Sequence, residues 1–398
     1  MTSTQPESIW TPTFALLCLA QFLGYAQHFI LTPTFPLYVT DLGGSPFVVG
    51  LVLGSFAITS VVFRPMIGHW ADRWNAVGVM ITGLVGLIIS MLFCFIPRVE
   101  MTMLANGLRG IGWAGLNTGG YTLLALSAPE SRRGEASGYY SGVQSSATIF
   151  FPAVALWLIQ ASFGGFTVVF GVAVGLALAG TCIGMLMRGY LPHTAQPERS
   201  APSLEWRQLF NFFDRDVWLP SALLFCLNLS LPAVTSFIVL YAREIQIQNF
   251  AWYFVVSGVT SLLARPFLGR VSDKIGRGPS LAAGFILQIA ALAMLVTVTH
   301  LPGVLISGIL YMMGNAIGSA TTLALAVERA NPQRRGKAMA TFSVAYPLSY
   351  GVASLVTGSA VEIAGYIGMF LLVAGLESLG VAVVLGNWSD LKKGARGR

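Results

Sequence analysis

The chain has 398 residues, of which 55% are hydrophobic and only 10% are charged. Soluble domains carry about a quarter charged residues, so a water-soluble fold is excluded and the surrounding solvent must be lipid. The formal charge of +7 would suit nucleic acid, but the placement of the basic residues indicates a membrane topology instead.

About twelve apolar stretches, six in each half of the chain, are long enough to cross a bilayer, which needs roughly 20 residues. The sequence therefore predicts an all-α membrane protein. The predicted spans start near Thr13, Phe47, Val77, Met101, Ala136, Thr167, Val217, Asn249, Pro279, Pro302, Ala338 and Tyr366.

The basic residues predict the orientation of these spans. Twenty of the 23 Lys and Arg are expected in alternate loops, at the tails or in a central linker. Arg98 and Arg243 lie in the opposite loops, and Arg109 lies within a span. The positive-inside rule then places both termini in the cytoplasm of a multi-pass bacterial inner-membrane protein. The basic tail at 392–398 is expected to rest against anionic lipid.

Two short segments are repeated at an offset of half the chain length. The sequence RPMIGHWADR at 64–73 returns as RPFLGRVSDK at 265–274, and RRGEA at 132–136 returns as RRGKA at 334–338. A parallel duplication of this kind predicts two helical bundles with a substrate site between them. We predict an N-terminal six-helix bundle at 1–190, a cytoplasmic linker at 191–216 and a C-terminal six-helix bundle at 217–398.

The segment from Gly68 to Arg73 resembles the loop signature of the major facilitator superfamily. With the repeat and the topology, the resemblance covers essentially the whole chain. It implies two bundles that rock around a central cavity, which opens to one side at a time. The segments 110–113 and 132–140 resemble bacterial drug- and metabolite-efflux members. The antiporter signature of the fifth span is reduced to Pro152, which weakens an export assignment.

The resemblance also implies a latch on the cytoplasmic face. In the family, the aspartate of the motif reaches the opposite half and holds that face shut. Asp72 would then meet the start of the eleventh span, and Asp273 the start of the fifth, where a carboxylate suits a helix N-terminus. The motif glycines leave room for close backbone packing. Ordinary solvated loop charges are the alternative. The predicted latch comprises Gly68, Asp72, Arg73, Gly269, Asp273, Lys274, Arg132, Arg133, Arg334 and Arg335.

Polar side chains within the spans predict the lining of the central cavity, because such groups avoid lipid. Residues 109, 113, 117 and 121 recur every fourth position and share one helix face. Any single member could instead make a helix–helix hydrogen bond. The predicted lining comprises Gln21, Tyr25, His28, Arg109, Trp113, Asn117, Tyr121, Gln144, Asn228, Tyr311, Asn315 and Tyr346.

Two titratable residues in the spans are candidates for proton coupling. Glu377 lies in the twelfth span, which the family places at the periphery of the fold, so a protonated structural carboxyl is the preferred interpretation. A proton carrier is the alternative. His28 has a suitable pKa range, although a lone buried histidine is often a packing residue.

Together these features predict a secondary transporter, with proton-linked export of a small amphipathic or anionic compound as the favoured function. An importer or uniporter of a small organic solute is the alternative, and a non-transporting receptor or scaffold is a third class. No nucleophile–base arrangement, metal cluster or phosphate-binding loop is recognisable, so we expect no enzyme activity, cofactor or metal. The expected partners are a small-molecule substrate, protons and membrane lipid but no nucleic acid, and the expected state is a monomer.

Overall fold

A computed structural model describes residues 9–73, 75–127, 132–162, 164–190, 214–331 and 335–393, and these ranges consist of helices joined by short turns, without strands. The helices are α1 Pro12–Asp41, α2 Pro46–Arg73, α3 Ala76–Leu92, α4 Val99–Ser127, α5 Arg133–Gln160, α6 Phe166–Arg188, α7 Trp218–Leu227, α8 Ile238–Glu244, α9 Ala251–Ile275, α10 Arg277–Thr297, α11 Leu301–Arg329, α12 Arg335–Gly386 and α13 Trp388–Lys393.

Nine helices in the described ranges are long and apolar enough to cross a membrane. One of them, α12, has 52 residues, which is about 78 Å and enough for two crossings. It is broken at Gly365, whose φ of 68° favours glycine. The 29-residue α4 supplies a further crossing. Helices α7 and α8 together form one more, which is the seventh span in chain order. The result is twelve spans whose starts agree with the prediction to within one helical turn.

The seventh span is discontinuous. Helix α7 ends at Leu227, and a π-helical turn at Ala233–Phe237 separates it from α8. The Asn228 side chain caps this break by donating from Nδ2 to the Leu224 carbonyl oxygen at 2.7 Å. Pro232, which lacks a backbone N–H, directly precedes the π turn.

The spans form two bundles. Helices α1–α6 pack mainly against one another, and so do α7–α12. Most of the predicted linker lies outside the described residues. At its end, the backbone N–H of Asp214 donates to Thr341 Oγ1 at 2.9 Å, which attaches the start of the second bundle to α12. The division at 1–190, 191–216 and 217–398 stays a prediction.

Two arginines that the sequence placed among the loop charges lie inside helices. Arg64 precedes the end of α2 at Arg73 by nine residues, and Arg265 precedes the end of α9 at Ile275 by ten. At 1.5 Å per residue, each lies about 14 Å from its helix end. The loop interpretation was wrong for these two residues, because the repeated motif begins within the helices and only its end reaches the turn.

The two bundles meet closely at one end of the molecule. We call the end that carries residues 42–45 and 245–250 the loop-1 face, and the opposite end, near Ile9 and Leu391, the termini face. One apolar cluster joins both bundles towards the loop-1 face and includes Leu37 and Val49 as well as Phe237. The other described clusters each belong to a single bundle.

Candidate functional site

The first bundle brings its predicted lining residues into one connected group between α1, α4 and α5. Gln21 donates to the Leu116 carbonyl oxygen at 3.0 Å and accepts from Gln144 at 3.3 Å. Tyr25 donates its hydroxyl to Asn117 Oδ1 at 2.7 Å. Gln21 and Gln144 are buried, so their amides serve helix packing. The amides of Gln21 and Gln144 thus join helices to each other, and the assignment of residues 109, 113, 117 and 121 to the cavity stays a prediction.

Arg109 lies in an aromatic enclosure within this bundle. Its Cζ is 5.0 Å from the ring centre of Phe35 and 4.7 Å from that of Phe56, which is cation–π geometry. The side chain is 5% exposed, and its Nε and Nη1 have no hydrogen-bond partner among the described residues. His28 stacks on Trp113 with ring centres 4.1 Å apart. Such a charge in a low-dielectric site attracts any anion that can reach it.

Tyr311, the repeat equivalent of Arg109, points into the second bundle. It is fully buried, and its hydroxyl lies 2.8 Å from Ser230 Oγ, beside the break in the seventh span. Ser230 also donates to Glu377 Oε1, so the three side chains form one chain of hydrogen bonds. Glu377 is 0% exposed, and its Oε2 has no partner among the described residues. Glu377 thus faces the interior of its bundle even though it lies on the twelfth span.

Tyrosines from both bundles meet between the halves. Tyr25 lies near Tyr121 and Tyr140 of its own bundle and near Tyr346 of the other. Tyr121 is 51% exposed and Tyr346 is 49% exposed, so both retain surface for a ligand. Asn315 is partly buried, and its Nδ2 has no described partner. The region between the halves is therefore aromatic and hydroxyl-rich.

Polar contacts between the bundles close the loop-1 face. Arg243 at the end of α8 forms an ion pair with Asp41 at the end of α1. Glu362 of α12 accepts from the Ser45 hydroxyl at 2.7 Å and from the backbone N–H of Phe47 at 3.0 Å. The Glu362 carboxylate therefore lies at the N-terminus of α2, where a negative charge is favoured. Sequence reasoning missed this residue, because nothing near Glu362 in the chain marks its partner.

Glycines allow the backbones of the two bundles to touch below this face. A methyl group at Gly358 of α12 would lie 2.5 Å from the Pro46 carbonyl oxygen of α2. A methyl group at Gly258 of α9 would lie 2.6 Å from Ile149 Cα of α5. Two helix pairs that join the halves, α2 with α12 and α5 with α9, are therefore packed backbone to backbone.

The predicted latch lies on the termini face, and much of it lies outside the described part of the chain. A methyl group at Gly68 or Gly269 would have no atom within 4 Å among the described residues outside its own helix backbone, so no described residue packs closely there. Arg132 pairs with Glu135, three residues along its own helix, at 2.8 Å. Lys274 is exposed. Outside the described positions lie residue Arg334 and the side chains of Asp72, Arg73, Arg133, Asp273 and Arg335.

Comparison with known proteins agrees with this architecture. The sequence profile of the Major Facilitator Superfamily matches residues 17–250 and 233–390. The chain belongs to this family. The fold is similar to a transporter of the POT family in complex with 5-aminolevulinic acid, with a TM-score of 0.79 and 13% identity over 96% of each chain. It is also similar to a bacterial homologue of the human lysosomal transporter Spinster, with a TM-score of 0.77 and 14% identity over 98% of this chain and 99% of that one.

Sequence relatives include efflux proteins. The chain is 25% identical over 286 residues to the multi-drug resistance efflux pump PmrA of Streptococcus pneumoniae, which is 68% of this chain and 69% of PmrA. It is 24% identical over 382 residues to an uncharacterised transporter of this family from Salmonella typhimurium, which is 94% of this chain and 95% of that protein. The family member described here is thus a multi-pass membrane transporter of small molecules.

Proposed function

We propose that this transporter exports a small amphipathic or anionic compound by alternating access, driven by protons moving inwards. The observation that supports alternating access is the asymmetry between the two faces. The loop-1 face is closed by an ion pair, a helix-terminus carboxylate and a shared apolar cluster. At the termini face, Gly68 and Gly269 have no described atom near them.

The positions of the basic residues indicate which of the two faces is cytoplasmic. With both termini on the cytoplasmic side of a bacterial inner membrane, the positive-inside rule makes the termini face cytoplasmic. The conformation described would then be open to the cytoplasm, where an exporter takes up its substrate and an importer releases it. The relatedness to the efflux pump PmrA is what supports export.

In the opposite conformation the halves would separate at the loop-1 face and meet at the termini face. There Asp72 would reach the start of the eleventh span and Asp273 the start of the fifth, with Arg132, Arg133, Arg334 and Arg335 as available basic partners. Glu377 and His28 are the two candidates for proton coupling, and Glu377 is assigned a structural role in the neutral form.

Everted membrane vesicles test the direction of transport. Vesicles energised to a proton gradient should accumulate a compound from a panel of radiolabelled amphipathic anions, and a protonophore should abolish the accumulation. Vesicles from cells lacking the chain provide the control. Uptake of the same compound by intact cells, with none by everted vesicles, would instead identify an importer.

A further inference from the structure

Two arginines of the repeated motif connect the halves at equivalent positions. Arg64 and Arg265 each begin the repeat and each precede a proline within a helix. Arg64 Nη1 donates to the carbonyl oxygen and hydroxyl of Ser343, on α12, at 3.3 and 3.4 Å. Arg265 Nη1 donates to Ser145 Oγ, on α5, at 3.5 Å. Each guanidinium therefore extends from its own bundle to the other.

Neither guanidinium is neutralised by the described protein. The hydrogen bonds are long and end on neutral oxygens. The ion pairs between described residues use Arg132, Arg243 and Arg277 instead. A guanidinium keeps its charge and carries five N–H donors in a planar arrangement. Arg64 and Arg265 thus keep both charge and donors for a ligand.

The surroundings of the two arginines suit a ligand with an apolar body. Arg64 lies near Tyr121 and Tyr25, and Arg265 lies near Tyr346. The half-exposed rings of Tyr121 and Tyr346 offer aromatic surface beside each cation. Aromatic faces supply contact area, while a small number of polar groups fix the orientation of a ligand.

The charge between the halves is positive, and this favours an anionic ligand. Arg64 and Arg265 each reach across this region, whereas Arg109 is enclosed within the first bundle. Among the described residues, the carboxylate well inside a span is Glu377, which is directed into its own bundle and bonded to Ser230. A region with two positive charges, and no facing carboxylate among the described residues, raises the local concentration of anions and repels cations.

We propose that Arg64 and Arg265 form a duplicated anion clamp for an amphipathic organic anion with a carboxylate, sulfonate or phosphonate head and an aromatic or apolar body. The clamp rests on the proposed transport function and names the substrate class of the same cavity. A planar guanidinium binds such a head group through two parallel hydrogen bonds, which a point charge does not reproduce. Because each arginine spans the two halves, the bound anion would contact both bundles.

Calorimetric titration of the purified full-length protein in lipid nanodiscs tests the clamp. The probes are naphthalene-1-sulfonate and the neutral naphthalene-1-sulfonamide, which share one apolar body. The wild type should bind the sulfonate at least about tenfold more tightly. Arg64→Gln and Arg265→Gln should each remove about tenfold in sulfonate affinity and leave sulfonamide affinity within about twofold. Arg188→Gln, at the exposed end of α6, is the matched control and should change neither value.

Arg64→Lys and Arg265→Lys keep the charge and guard against a folding defect in the glutamine variants. They should remain monodisperse and still lose most of the sulfonate preference. Equal affinities of the wild type for the two probes would overturn the clamp, and so would the absence of binding to either. A sulfonate preference that survives in all four variants would also overturn it.

These titrations use no ion gradient, so they separate the clamp from the export proposal. A protein that binds the sulfonate through both arginines but moves no compound in everted vesicles retains the clamp and refutes export. A protein that exports compounds while showing no preference for the sulfonate refutes the clamp alone.

Discussion

Arg109 combines a permanent charge with an aromatic enclosure and two buried N–H groups that have no described partner. Cation–π contacts with Phe35 and Phe56 offset part of the desolvation cost, each by about 0.5–2 kcal/mol. Replacing a buried ion pair by apolar side chains of similar volume is often neutral or stabilising, and a buried charge without a partner is costlier than a paired one. A residue that weakens the fold in this way is expected to be retained for function.

We predict that Arg109→Met raises or preserves the melting temperature of the purified protein while abolishing transport in everted vesicles. The gain in unfolding free energy should be up to about 4 kcal/mol, because a costly buried cation is removed. Thermal unfolding and vesicle transport are measured on the same preparation. A variant that melts earlier and transports at the wild-type rate would make Arg109 a packing residue.

Glu377 is the second residue whose role can be tested by a shape-conserving change. Ser230 donates to one carboxyl oxygen, and a glutamine offers the same acceptor. Glu377→Gln should therefore keep folded yield, transport and its dependence on the proton gradient. Glu377→Ala should lower the yield, because the buried Ser230 hydroxyl loses its carboxyl acceptor at a cost of about 1–3 kcal/mol.

Yield by size-exclusion chromatography and transport with and without a proton gradient are the measurements for the Glu377 variants. If the glutamine variant loses proton-driven transport but still exchanges substrate across the membrane, the carboxyl carries the proton. The structural assignment of Glu377 would then be wrong.

At the scale of helices, the packing of α2 against α12 depends on Gly358. An added methyl group would lie 2.5 Å from Pro46 O and 3.2 Å from Gly50 Cα, so the helices would have to separate. Overpacking of this kind costs about 1–3 kcal/mol. In a protein with two conformations, that cost falls only on the conformation in which the helices touch.

Gly358→Ala is therefore expected to shift the population away from the loop-1-closed conformation by about five- to 150-fold. Gly54→Ala on the same helix pair is the control, since its methyl group would make an ordinary contact of 3.5 Å with Leu355. Distances between spin labels across the loop-1 face report the populations. Identical distance distributions for the two variants would contradict the prediction.

The sequence predicted where the helices begin better than it predicted which side chains contact each other in the fold. Span starts followed from apolar length, whereas the cavity face assigned to α4 from the fourfold spacing of residues 109–121 stays a prediction. The inward direction of Tyr311 did not follow from the sequence, because its partner Ser230 lies 81 residues away, at a break that depends on tertiary packing. Arg64 and Arg265 were assigned to loops because the motif was interpreted by its end rather than its beginning.

At the scale of the molecule, we expect a carboxylate at the N-terminus of a helix from the other bundle on each of the two faces. Glu362 lies at the N-terminus of α2 across the loop-1 face. The family resemblance predicts that Asp273 does the same for the fifth span on the termini face in the opposite conformation. A carboxylate at an exposed helix N-terminus contributes about 0.3–1 kcal/mol. The two carboxylates would then stabilise opposite ends of the same equilibrium.

We predict that Glu362→Gln and Asp273→Asn shift this equilibrium in opposite directions, each by about two- to fivefold. Glu362→Gln should open the loop-1 face, and Asp273→Asn should open the termini face further. The sites lie at opposite ends of the molecule, so their effects should add and the double variant should resemble the wild type.

Spin-label pairs at exposed positions on each face measure both populations in nanodiscs. Ile96 with Gln248 reports the loop-1 face, and Leu126 with Val327 reports the termini face. A structural defect unrelated to the latches would broaden both distributions and would not be corrected in the double variant. Shifts in the same direction for the two single variants would contradict the two-latch mechanism. Restoration of the wild-type populations by the double variant would support it, since only two opposing latches cancel in this way.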